Sequence, residues 1–269
     1  MKKFLFVLMI VLLLVSFCAC SYVPSTRFLS RSRVNSLVDE YGTPQAQVTL
    51  KYETKAGDKV EVSIVYNLLL GQTPLATIRF IQLANEGFYD DTIIDTYNST
   101  NKYMIAGRYA YKESTQSHKS AYYKNTSNVT FKGEFSDNKY SEPKDGYAQF
   151  SMFSLAMYHE SGVDKFDTAN GALILALDNR TLNSNTYAVF AEWESITVTY
   201  NNSAPITYTR TVPSPVREHL TSFTSTTSRT VYDDATEENS SSVSMMSTQV
   251  LIHVSILGDK DWSKLPSIG

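Results

Sequence analysis

Thr73-Pro-Leu-Ala-Thr-Ile-Arg-Phe-Ile-Gln-Leu-Ala-Asn-Glu-Gly-Phe-Tyr-Asp-Asp-Thr-Ile-Ile94 is the stretch that decides the fold, because it predicts a helix, a turn and a strand. Thr73 is a typical residue to cap a helix, and Pro74 suits the first helical turn. Helical spacing gives one apolar face, formed by Leu75, Ile78 and Ile81. Gly87 favours the end of this helix, and extended apolar residues begin at Thr92.

Alternating apolar and polar residues predict strands on both sides of this helix. Val48–Tyr52 and Lys59–Tyr66 flank Ala56-Gly57-Asp58, which is turn chemistry, so they predict a β-hairpin. Further extended segments follow at Tyr103–Ile105, Gly146–Met157, Asp167–Ala176, Thr186–Trp193 and Gln249–Ile256. The pattern therefore predicts a mainly β domain.

Composition and charge exclude several classes of protein. The chain has 269 residues, of which 42% are hydrophobic, so it is long enough to bury a large core. A net charge of −3 does not favour nucleic acid as a partner. Neither a glycine-rich phosphate loop nor a serine nucleophile elbow is present, and the four histidines lack metal-ligand spacing. We therefore expect no cofactor and no metal.

The N-terminus has the features of a bacterial lipoprotein leader. Lys2 and Lys3 precede the apolar run Phe4–Phe17, which is typical of a signal peptide and short for a spanning helix. Phe17-Cys-Ala-Cys20 resembles a lipobox with Cys20 as the lipidated residue; the alternatives are acceptance at Cys18 and ordinary secretion. We expect a signal peptide over residues 1–19 and an extracytoplasmic, lipid-anchored protein at the cell membrane.

Residues 20–45 are polar and are interpreted as a tether, with a short helix at 31–40 packed on the domain as the alternative. The domain itself is predicted over 46–258, followed by a C-terminal tail over 259–269. Within the domain, 108–145 is interpreted as an elaborated loop. Residues 201–247 are Ser/Thr-rich and predict either a mobile insertion or an added hairpin that binds a partner.

The deciding stretch also resembles a known family. Leu83-Ala-Asn-Glu-Gly-Phe-Tyr-Asp-Asp-Thr-Ile93 is similar to the signature of the cyclophilins, which are peptidyl-prolyl cis-trans isomerases. Weaker similarities follow in the family's order at Phe131–Phe135, Ser154–Ala156, Asn170–Ala176 and Val189–Ala191. The resemblance covers about residues 46 to 200, together with the final strand. It implies a closed eight-stranded β-barrel with capping helices.

Carried over residue by residue, the resemblance implies an eroded site. In the family, an arginine donates a hydrogen bond near the prolyl nitrogen, but Thr96 stands at that position. Ala106 and Leu173 replace two glutamines. Arg108 or Arg180 is the candidate to supply the missing guanidinium from elsewhere. The positions that would contact a substrate are Tyr103, Met104, Ala106, Leu173, Leu175, Leu182 and Tyr187.

The resemblance therefore implies a monomeric envelope lipoprotein that binds proline-containing peptides or secreted proteins, with weak or lost isomerase activity. One alternative is an active isomerase that assists the folding of secreted proteins. A second is a surface lipoprotein whose resemblance to the family is accidental. The apolar residues of the eroded site either keep a pocket open or fill the end of the barrel.

Overall fold

The computed structural model describes residues 28–113, 121–125, 130–178, 183–209, 213–233 and 239–268. Its three α-helices are α1 (Arg31–Tyr41), α2 (Pro74–Asn85) and α3 (Ser214–Ser222). Its strands are β1 (Gln45–Glu53), β2 (Lys59–Leu68), β3 (Thr92–Asn98), β4 (Tyr103–Lys112), β5 (Ala121–Lys124), β6 (Leu155–Met157), β7 (Leu173–Ala176), β8 (Val189–Tyr200), β9 (Ile206–Thr209), β10 (Thr226–Tyr232), β11 (Ser240–Met246) and β12 (Val250–Leu257).

Eight of these strands close into a barrel. Hydrogen bonds join them in the order β4-β3-β12-β1-β2-β8-β6-β7, and β7 pairs back with β4. Neighbouring strands of this ring are antiparallel. The prediction of a mainly β, closed eight-stranded barrel is therefore confirmed.

Alternation along the strands fills the barrel interior. Val48, Ile64 and Ile196 lie opposite one another across β1, β2 and β8, and all three are buried. Successive side chains of a strand point to opposite faces, so the residues between them face outward. Gly146–Met157 was predicted as one strand, but only Leu155–Met157 pairs as β6. The residues before it leave the ladder, and Ala148 and Phe150 cover the outer face of the barrel.

Helix α2 follows the sequence prediction in extent but not in its cap. Phe80 on α2 packs on Phe190 of β8, with ring centroids 4.9 Å apart. Thr73 occupies the N-cap position, as predicted, but its side chain makes no capping hydrogen bond, because its hydroxyl donates to the carbonyl of Val189 at 3.0 Å. Glu134 takes that role instead: its Oε2 accepts from the backbone N–H of Ala76 at 3.0 Å. The acceptor oxygen of Glu134 thus satisfies one of the backbone N–H groups that have no partner within the first turn of the helix.

The other two helices also pack on the barrel. Helix α1 buries Val34, Leu37 and Tyr41, so the structure shows the packed helix within the segment predicted as a tether. Helix α3 buries Val216 and Leu220. No helix in the described ranges is long and apolar enough to cross a bilayer.

The described parts of 201–247 form a strand, a helix and a hairpin, which favours the added hairpin over the mobile insertion. β9 pairs with β8, and the β10–β11 hairpin joins β5. Strand β4 also runs on to Lys112, and β5 forms at Ala121–Lys124, so part of the segment predicted as an elaborated loop over 108–145 is strand. The physical reason is a second small core, in which Val231 and Met245 pack with Ile93 and Tyr122. A few well-placed apolar side chains thus order a Ser/Thr-rich hairpin.

Candidate functional site

Four of the predicted substrate-contacting residues point into the barrel. Met104 lies opposite Leu175, and Ala106 lies opposite Leu173, across the β4–β7 pair. All four belong to the main hydrophobic core and are at most 5% exposed. The sequence left two alternatives for these residues, and this placement favours the one in which they fill the barrel.

The opposite face of the same strands carries an aromatic surface. Ile174 on β7 points outward and packs with Phe150 in a separate apolar cluster. Tyr103, Tyr158 and Tyr187 pack around this cluster, and we refer to these three residues as the tyrosine face. Burial raises the pKa of Tyr187, and the neighbouring Tyr103 and Tyr158 raise it further. Tyr103 and Tyr187 are therefore the predicted residues that the structure brings together on an accessible surface.

A guanidinium lies beside this surface, at the position where the sequence lacks one. Arg108 pairs with the carboxylate of Asp95 through Nη2, and its Nε donates to Asp95 Oδ1 at 3.4 Å. Nη2 also donates to the hydroxyl of Thr96 at 2.7 Å. The Arg108 guanidinium carbon lies 5.4 Å from the ring centre of Tyr158 and 5.9 Å from that of Tyr109. Of the two candidate arginines, Arg108 therefore reaches Thr96, while Arg180 lies outside the described residues.

An irregularity in the β3–β4 pair brings Arg108 to this position. Simple alternation from Met104 and Ala106 would turn Arg108 towards the barrel interior. The register shifts twice, between Thr92 and Ile94 and between Ile94 and Thr96. Gly107, which precedes Arg108, has a positive φ of 85° that residues with a side chain rarely adopt. A Cβ added at this position would lie 3.4 Å from the ring of Tyr89. A bulge re-aims side chains in this way.

Burial and pairing act against each other in the Asp95–Arg108 pair. Burial raises the pKa of the Asp95 carboxyl, while the hydrogen bond and charge of Arg108 lower it in part. Burial lowers the pKa of Arg108, but the hydrogen bond and charge of Asp95 outweigh it, so the pKa of Arg108 is raised. The guanidinium is therefore held as a cation by a carboxylate that is itself 2% exposed.

A cavity of about 360 Å³ opens beside Arg108 and Tyr158. Its wall is mainly polar and includes Tyr109, Lys124, Asn125, Glu160, Thr168 and Asn170. Two of its charges are paired: Lys124 lies 2.6 Å from Asp233, and Glu160 lies 3.4 Å from Lys165. The cavity therefore offers polar groups, paired charges and two aromatic rings, Tyr109 and Tyr158, next to the guanidinium.

This arrangement supplies hydrogen-bond donors beside tyrosine rings. Among the described residues, no three His, Cys, Asp or Glu side chains are grouped to hold a metal ion. Sequence reasoning missed Asp95, Tyr109 and Tyr158. For Asp95 a signal existed, because it directly follows the apolar pair Ile93-Ile94. The predicted residues Cys20 and Leu182 lie outside the described residues.

The fold and the site define a closed-barrel domain in which a half-buried tyrosine face lies beside a guanidinium paired with a buried carboxylate. The model of the family "Cyclophilin type peptidyl-prolyl cis-trans isomerase/CLD" matches residues 50–201, which is more than half of the chain. The chain belongs to this cyclophilin family.

Two solved structures are similar to the chain at low sequence identity. Both are of a cyclophilin type peptidyl-prolyl cis-trans isomerase of Cryptosporidium parvum, one of them in the presence of the dipeptide Ala-Pro. The first is 12% identical, with a TM-score of 0.42, and the match covers 80% of this chain and 99% of that one. The second is 12% identical, with a TM-score of 0.34, and covers 76% and 98%. No curated protein matches the chain.

Proposed function

We propose that this protein is a lipid-tethered cyclophilin-type domain that binds proline-containing polypeptides outside the cytoplasm, with weak or lost isomerase activity. The observation that carries the proposal is the orientation of β4 and β7. Their residues at the predicted substrate positions, Met104, Ala106, Leu173 and Leu175, fill the barrel core. The face that remains accessible carries tyrosines and a paired arginine.

Isomerisation and binding make different demands on this face. Rotation about an X-Pro bond must overcome a barrier of about 18–20 kcal/mol, so a catalyst has to favour the twisted amide. Removing one preorganised donor typically costs about 10²–10³ in rate, and here both glutamine positions carry apolar residues. Binding needs less, because aromatic-lined surfaces dock proline-rich segments through apolar contact. The tyrosine face supports binding more than catalysis.

We expect the wild-type protein to bind a short Xaa-Pro peptide without accelerating its cis–trans exchange. Binding is measured by NMR titration, and exchange is measured on the same sample by NMR exchange spectroscopy. Replacing Tyr158 with alanine is expected to weaken binding about tenfold, as for an aromatic residue at the centre of an interface. Tyr208→Ala, on β9, is the matched control and is expected to leave affinity unchanged. Equal affinities for these two variants would contradict the proposed binding face.

One observation favours a second candidate function, an active isomerase. Arg108 Nη2 donates to the Thr96 hydroxyl at 2.7 Å, so a guanidinium contacts the residue that the resemblance aligns with the family's arginine. Under this alternative, wild-type exchange is much faster than in buffer, and Arg108→Gln returns it to the rate in buffer. A wild-type rate equal to that in buffer excludes it.

Lipid attachment at Cys20 is the second part of the proposal. The charged start, the apolar run and the lipobox-like Phe17-Cys-Ala-Cys20 support it. We expect Cys20→Ser to move the protein from the membrane fraction to the soluble fraction of an expressing bacterium, because the acyl chains are lost. Cys18→Ser is the matched control and is expected to remain in the membrane fraction. Soluble wild-type protein would contradict the anchor while leaving the binding proposal intact.

A further inference from the structure

We propose that Asp95 is a positioning residue that restrains and neutralises Arg108, so that replacing its carboxylate with a neutral group raises isomerase activity. The inference rests on the proposed function, because it requires peptides to bind at the tyrosine face. It assigns the weakness of catalysis to a specific pair of residues, in addition to the missing glutamines.

The geometry leaves Arg108 few free donors. A guanidinium has five N–H groups, one on Nε and two on each Nη. Nε donates to Asp95 Oδ1 at 3.4 Å, and Nη2 donates to both Asp95 Oδ2 and Thr96 Oγ1. Within the described part of the chain, no hydrogen bond reaches Nη1. A bound peptide would therefore meet a guanidinium with only its Nη1 edge free.

The pair is also held in place by its surroundings. The Asp95 side chain is 2% exposed, and that of Arg108 is 29% exposed. Asp95 also accepts from the Thr96 hydroxyl at 2.9 Å, which fixes the carboxylate on its strand. Tyr158 and Tyr109 lie within 6 Å of the guanidinium carbon, at distances that give cation–π attraction. Arg108 is thus held by its partners rather than free to follow a substrate.

Neutralisation matters because catalysis of this rotation is electrostatic. A cation near the prolyl nitrogen stabilises the lone pair that develops when amide resonance is broken. A carboxylate in hydrogen-bond contact with that cation opposes its field, and the field of the resulting pair falls off faster with distance than that of a lone charge. An asparagine at position 95 keeps the shape and one acceptor oxygen but removes the opposing charge.

Asp95→Asn is the decisive variant. We expect it to exchange an Xaa-Pro peptide about tenfold faster than the rate in buffer, which is the rate expected for wild type, as part of the 10²–10³ that one donor supplies, with peptide affinity unchanged. In Asp95→Asn/Arg108→Gln the gain is expected to disappear, because it acts through the guanidinium. Glu61→Gln, which removes a paired carboxylate from the exposed Lys51–Glu61 bridge, is the matched control and is expected to show the wild-type rate.

The outcomes separate this inference from the proposed function. An unchanged rate in Asp95→Asn, with peptide affinity retained, overturns the restraint by Asp95 and leaves the binding function standing. A gain that persists in the double variant also overturns it. Absence of peptide binding by the wild-type protein overturns the proposed function itself. Should Asp95→Asn fail to fold in thermal unfolding measurements, Asp95→Ser removes the same charge and decides the question in the same way.

Discussion

Arg108→Ala is expected to lower the free energy of unfolding by about 3 kcal/mol, because it removes the partner of a buried charge. Asp95 is 2% exposed, and Arg108 supplies both its ion pair and two hydrogen bonds. Without the guanidinium, the Thr96 hydroxyl is the side-chain donor that remains to this carboxylate among the described residues. Denaturant unfolding followed by circular dichroism at pH 7 measures the loss.

Two further variants test the cause of this loss. Arg108→Ala combined with Asp95→Asn is expected to recover most of the stability, since no charge is then left buried. Lys51→Ala breaks the exposed pair with Glu61 and is expected to change stability by less than about 1 kcal/mol. If the single and double variants at 95 and 108 were equally unstable, the loss would come from packing of the arginine stem instead.

The stability of the wild-type protein is expected to fall as pH rises, because of Glu134. Burial raises the pKa of this carboxyl from 4.5 to about 8, although the N–H groups of Ala76 and Leu75 lower it in part. The folded state therefore holds a proton that the unfolded state releases above pH 4.5. The contribution of the protonated Glu134 side chain to the free energy of unfolding is complete below pH 4.5 and is lost as pH rises through about 8. The expected loss is on the order of 4 kcal/mol.

Glu134→Gln is expected to flatten this pH dependence and to be more stable than wild type above the pKa of Glu134. An amide keeps one acceptor for the α2 N-terminus and has no charge to bury. Glu142→Gln, an exposed position nearby, is the control and is expected to keep the wild-type slope. Chemical denaturation at a series of pH values measures the free energy of unfolding of both variants. A wild-type curve that rises between pH 5 and 8 would contradict the assignment to Glu134.

Both predictions concern carboxylates that the barrel buries, and only one of them lies at the functional site. Glu134 serves the fold, because it completes the N-terminus of α2. Asp95 lies at the candidate site, because its carboxylate pairs with the Arg108 guanidinium beside the tyrosine face. Under the proposed function, the family's fold persists while its chemistry changes, since function depends on a few side chains placed on the barrel.

The sequence by itself determined the architecture of this protein. Helical spacing from Leu75 to Ile81 and strand alternation in Val48–Tyr52 are local patterns, so they predicted α2 and the first hairpin correctly. The similarity over Leu83–Ile93 indicated the family, and the match over residues 50–201 confirmed it. Periodicity is sufficient to predict α2 and the first hairpin, because burial of one face depends only on neighbours a few positions away.

The tertiary structure alone decided the state of the site. Arg108 and Asp95 are 13 positions apart, and two register shifts in β3 and β4 bring them together. Glu134 reaches the first turn of α2 from 58 positions away and accepts a hydrogen bond there, whereas the side chain of the N-cap residue Thr73 accepts none. Bulges and long-range contacts depend on how the whole barrel closes, and no local period encodes them.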